Sequence, residues 1–263
     1  MKTRVELKNE LLYLFLIILV TISFSLTTHS PNRIYLLSGV LGILLILTWF
    51  TRAFVLYSGR KISQYSEVIH RVSLRERFFT YFVLPILFYS SLLLFIYFNT
   101  SFFMDIVLII ISTILLLILF LNVKSSFKKI YSLSSQTRAV FDFICIASFY
   151  MLSSVAIRIG THIWFFFFLL FLFSSLFFWS DIKIHRKEST ASLIMTLVSS
   201  AFVTLSSGVF LNTNIFIIPA ISTLSFYLIL SLWNVRFAGK LKLIDYLPPF
   251  IYSVLALIII LKL

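Results

Sequence analysis

Asp181 and Glu188 are the two carboxylates of this chain whose spacing best suits chemistry, standing seven residues apart around the basic run Lys183-Ile184-His185-Arg186-Lys187. That separation is two helical turns, so the pair shares a face wherever a helix continues through it. Two such carboxylates can hold one Mg²⁺ through water, while Lys183 and Arg186 neutralise the charge of a phosphate. Arg60, Lys61 and Arg71, in an earlier basic stretch, are candidates to bind the same anionic head. The plainer reading of both stretches is a charged, solvated loop.

Asp142 follows Arg138 by one helical turn, a spacing that suits either a structural ion pair or a role in ligand or proton handling. Asp105 falls near the end of an apolar block and reads as a boundary residue within reach of interfacial water. The four histidines, His29, His70, His162 and His185, have no metal-binding spacing, and the single cysteine, Cys145, excludes an intramolecular disulfide. Walker, G-x-S-x-G and dinucleotide-binding patterns are absent from the sequence.

The elements that would position these residues are apolar blocks close to the length needed to cross a bilayer. Nine are expected: 11–26, 34–50, 78–98, 102–121, 140–157, 161–180, 191–211, 214–233 and 247–263. Backbone groups in lipid must bond within their own segment, so such runs predict helices. The fold class expected is all-α, a polytopic membrane bundle occupying residues 1–263 as one transmembrane domain.

Charge sets the expected orientation. Of 22 Lys and Arg, 19 fall at the N-terminus or in alternate gaps, and only Arg33, Arg158 and Lys262 fall on the other side. Basic connections stay cytoplasmic, which predicts the N-terminus inside and the C-terminus outside. The same logic absorbs the net charge of +13, through topology and attraction to anionic lipid heads, and leaves no call for a nucleic-acid partner. A composition 60% hydrophobic and only 12% charged excludes an ordinary soluble domain. The location expected is a prokaryotic cytoplasmic membrane, and the first block reads as an uncleaved span rather than a secretory signal.

Very short outer gaps predict tight hairpins between the third and fourth, fifth and sixth, and seventh and eighth spans. Ser199, Ser200, Ala201, Ser206, Ser207 and Gly208 in the seventh span, and Ala147, Ser148, Ser153 and Ser154 in the fifth, suit close helix packing. Pro85, Pro219, Pro248 and Pro249 are candidates to kink their spans. Residues 61–78 are long enough for an interfacial helix with an apolar stripe at Ile62, Tyr65, Val68 and Ile69. Ile69-His70-Arg71 recurs as Ile184-His185-Arg186, a short match compatible with a duplicated bundle. The 31 phenylalanines serve as core and lipid-facing filler, with the lining of a greasy pocket as the other use.

Nine spans, an inside N-terminus and long cytoplasmic loops after the second and sixth spans resemble the UbiA superfamily of intramembrane prenyltransferases. Ser180-Asp181-Ile182-Lys183 followed by Glu188 is similar to that family's second motif, N-D-x-x-D-x-x-x-D, with Ile184 in place of the middle aspartate. Arg71-Val-Ser-Leu-Arg-Glu76 resembles its R-I-S-x-x-E stretch, and Arg236 to Leu247 its basic final loop. The first Asp-rich motif is missing, because its aspartates would fall on Thr51, Phe54 and Ser58. The resemblance implies Mg²⁺, a prenyl diphosphate and a lipid-accessible cavity. The expected function is binding of an isoprenoid or other long apolar ligand with an anionic head, with prenyl transfer as its catalytic form. A permease or lipid-translocating protein gated by Asp142 and Arg138 is the alternative, and a non-catalytic membrane scaffold a further one.

Overall fold

The computed structural model describes residues 2–28, 33–57, 82–126, 135–160, 162–184, 190–210, 217–239 and 242–262. Among them it is all-helical, with α1 Lys2–Thr27, α2 Ile34–Tyr57, α3 Leu84–Tyr97, α4 Phe102–Ser126, α5 Ser135–Arg158, α6 Ile163–Ile184, α7 Thr190–Val209, α8 Ile217–Phe237 and α9 Leu243–Lys262. Eight of these nine are long and apolar enough to span a membrane, and α3 is a shorter apolar helix of 14 residues. Lipid-facing surface is plain in Trp164, Leu205 and Leu243, which are 81%, 73% and 90% exposed. In water such a surface would aggregate, whereas in hydrocarbon it is at home.

Helices extend past their apolar blocks, and the longer extensions all run into Lys- and Arg-rich stretches of the sequence: the start of α1, the ends of α2, α4, α6 and α8, and the starts of α5 and α9. Hydropathy marks where hydrocarbon stops, but a helix continues into the interface as long as its backbone bonds are kept. Pro85 and Pro219 occupy the first turn of α3 and α8, where a missing N–H costs nothing and a kink is not required. Pro248 and Pro249 stand inside α9, within its first two turns. Gly160 ends α5 at φ 65° and Gly239 ends α8 at φ 76°, left-handed positions that glycine takes without strain.

The chain divides into two compact units, Met1–Ile144 and Cys145–Leu263. In the first, α1 packs along α2 and α4, with α3 against all three. The Trp49 ring stacks on Phe120 at 4.3 Å and on Tyr13 at 6.4 Å, filling the core near the basic end. Toward the other end Tyr89 is fully buried and shares a 2.9 Å hydrogen bond with the Thr21 hydroxyl. Gly42 makes room for it: a methyl group there would stand 2.7 Å from the phenol ring. Two polar contacts tie α1 to α4 at opposite ends, the 2.7 Å Glu10–Lys124 ion pair and the 2.6 Å bond from Ser25 Oγ to Asp105. Their register makes the two helices antiparallel.

In the second unit α6, α7, α8 and α9 pack in sequence. Helices α7 and α8 meet along a serine seam, with Ser207 and Ser222 hydroxyls 2.7 Å apart and Ser206 donating to Ser225 at 2.9 Å. Small side chains let the backbones approach, as the sequence predicts for its seventh span. Elsewhere the core is filled by rings: Phe226 stacks on Phe149 at 4.7 Å and lies 4.5 Å from Phe178.

Candidate functional site

The serine seam has a consequence at the end of α8. There Trp233 donates its indole N–H to Ser199 Oγ on α7 at 2.9 Å, and its ring stacks on Phe237 at 6.0 Å. Held this way, Trp233 forms a wall of a groove of about 460 Å³ bounded by α7, α8 and the start of α9. Val198, Phe202, Leu228 and Leu232 make the rest of the lining apolar, and Arg236 and Tyr246 complete it where α8 ends and α9 begins. The volume falls in the range of small-molecule sites, which are mostly apolar with a few placed polar groups.

Arg236 is the charged group of this groove. It is exposed, and no ion pair is recorded for it among the described residues. A guanidinium on a long apolar stem can lie along lipid-facing surface while its head reaches the interface, where it offers forked donors to phosphate. Trp and Tyr beside it suit the same depth, with an apolar ring and a polar edge.

Of the residues singled out by sequence, the side chains of Asp181, Asp142 and Arg138 are among those described. Asp181 is only 3% exposed, one turn before the end of α6, and already has a partner. It is therefore not presented to solvent as a loop carboxylate would be: α6 runs on to Ile184 and holds Asp181 in a buried position. The Lys183 side chain, Arg186 and Glu188 lie outside the described residues, as do Arg60, Lys61 and Arg71, the stretch 61–78 and the repeated Ile-His-Arg triplets. Among the described residues no group of three His, Cys, Asp or Glu side chains could hold a metal ion. Asp142 and Arg138 are both half-buried on α5, and Asp142 has a partner of its own.

Asp105 departs most from its sequence reading. It is 4% exposed and accepts 2.6 Å bonds on both oxygens, from Ser25 Oγ and from Asn99 Nδ2. Asn99 also donates to the Ser101 carbonyl at 3.0 Å, which fixes the turn between α3 and α4. The carboxylate is a structural knot rather than a residue tolerated at the water boundary. A shallow position along the helix does not imply exposure when a neighbouring helix covers that face.

The nine apolar helices among the described residues, with their lipid-facing surface, define an all-α, multi-pass integral membrane protein. No family model, curated protein or solved structure matches the chain.

Proposed function

We propose that this protein binds a long-chain lipid, an isoprenoid or a comparable apolar chain with an anionic head, in the groove between α7, α8 and α9. The observation that carries the reading is Arg236 at one end of an otherwise apolar lining. The chain occupies the greasy length beside Phe202 and Leu228, and the head takes charge-assisted hydrogen bonds from Arg236. The positive-inside pattern puts this end of α8 at the cytoplasmic leaflet, from which such a ligand enters sideways. Prenyl transfer of the UbiA type is a narrower form of the same reading, and it requires Asp181 to serve a head group together with Glu188.

The test uses purified protein in nanodiscs titrated with a brominated long-chain prenyl monophosphate and the matching prenol. Quenching of the fluorescence component that disappears in Trp233→Phe reports occupancy of the groove. Losing one charge-assisted bond costs about 1.5 to 3 kcal/mol, so Arg236→Ala is expected to weaken the phosphate by roughly 10- to 100-fold and the prenol hardly at all. Equal affinity of both ligands, or an unchanged titration in Arg236→Ala, refutes the assignment. Adding Mg²⁺ with a prenyl diphosphate and comparing Asp181→Ala addresses the narrower form.

A further inference from the structure

A second groove, of about 480 Å³, lies wholly within the first unit, between the end of α1, the start of α2 and the end of α3. These helix ends are opposite to the Glu10–Lys124 pair and so opposite to the basic connections. Its walls are Phe24, Leu36, Val40, Ile43 and Leu93, and Gly39 forms its floor. A methyl group on Gly39 would stand 3.3 Å from the Phe24 ring and 3.6 Å from Leu93, so the missing side chain keeps the recess open. At the mouth Tyr35 and Tyr97 stand with ring centroids 5.4 Å apart, and Phe24 meets Tyr35 edge-on at 6.2 Å.

Among the described residues, polar groups at this mouth are open to a ligand. Neither tyrosine hydroxyl is recorded in a hydrogen bond among the described residues. Arg33, in the turn just before α2, is exposed and has no recorded ion pair among them. The topology rule gives Arg33 no purpose, because it stands on the side from which Lys and Arg are otherwise almost absent. The carboxylate at the same end, Asp105, is buried with both oxygens bonded to Ser25 and Asn99, which leaves the accessible charge positive.

We propose that this recess is a binding site for an anionic glycerophospholipid of the leaflet opposite the basic connections. One acyl chain lies over Gly39 between α2 and α3, and the phosphate accepts hydrogen bonds from Arg33 and from the Tyr35 and Tyr97 hydroxyls. Charge complementarity selects the occupant: ordinary bilayer lipid fits any apolar face, but only an anionic head gains from an exposed guanidinium one helical turn before Leu36 of the groove wall, together with the phenol donors of Tyr35 and Tyr97. The site is independent of the α7–α8–α9 groove and of its ligand.

The experiment places the full chain in phosphatidylcholine vesicles containing a small fraction of phosphatidylglycerol with a mid-chain diazirine, followed by photolysis and peptide mapping. Labelling of α2 and α3 is expected to exceed that of the open face of α9, at Leu255, Ile258 and Ile259, several-fold. Arg33→Ala is expected to bring it down to the α9 level. Filling the recess by Gly39→Leu, or by Leu94→Trp from the exposed rim if the first variant does not fold, is expected to do the same. A phosphatidylcholine probe should label both regions alike. Uniform labelling by the anionic probe, equal enrichment of the two probes, or insensitivity to Arg33→Ala would each overturn the proposal. Trp233 quenching by prenyl phosphate should be unchanged in the Arg33 variant, so the two sites can fail separately.

Discussion

At the scale of single residues, Asp105 shows how much a buried charge depends on its partners. Its two acceptor oxygens are taken by Ser25 and Asn99 at 2.6 Å each, neutral donors from α1 and from the turn before α4. Replacing it by alanine takes the acceptor from the Ser25 hydroxyl and leaves Asn99 only its bond to the Ser101 carbonyl, at a cost of about 1 to 3 kcal/mol. Thermal unfolding in detergent should show this loss for Asp105→Ala. The Ser25→Ala, Asp105→Ala double variant should lose less than the sum of its parts, because the two share one interaction. Additive losses would mean that the bond contributes nothing. Arg236 illustrates the complementary case: in sequence it is one of several cations serving topology, and only its place beside Trp233 and Tyr246 singles it out.

At the scale of elements, the seam between α7 and α8 is built for proximity more than for hydrogen bonding. Interhelical side-chain bonds in membranes average about 0.6 kcal/mol, because the separated helix finds substitute partners such as its own carbonyls. Ser207 has such a substitute, since its hydroxyl also donates to the Val203 carbonyl at 2.7 Å. Ser207→Ala should therefore cost about 0.6 kcal/mol, whereas Ser207→Leu, which forces the backbones apart, should cost about 1 to 3 kcal/mol. Equilibrium unfolding in mixed micelles separates the two. The reverse order would make the hydroxyl, not the small volume, the source of the seam. The α7–α8–α9 groove depends on the same contact, because Ser199 holds Trp233 in place.

At the scale of the whole molecule, the alternation of basic and neutral connections predicts which face each loop occupies. A cysteine placed at Lys61 in a Cys145→Ser background should react with a membrane-impermeant maleimide only after the cytoplasmic face is opened, and one at Thr100 should react from outside. The opposite pattern would invert the assignment of both grooves to their leaflets. Spans, helical class and lipid-facing exterior are all legible in the chain, because in hydrocarbon every backbone group must be bonded within its own segment and apolar length alone marks the crossing. The small-residue cluster of α7 is legible for a similar reason: only small side chains allow that approach. Burial is not legible. Asp181 and Asp105 both stand near span ends, where hydropathy suggests water, yet both are buried. The two grooves are equally hidden, since lipid-facing and core-facing positions accept the same residues and no period separates the sides of a helix that is apolar all round. Composition and charge order thus determined a multi-pass helical membrane protein. Only tertiary packing decided where a serine fixes a tryptophan, where a glycine leaves a recess, and that Arg236 lines apolar space.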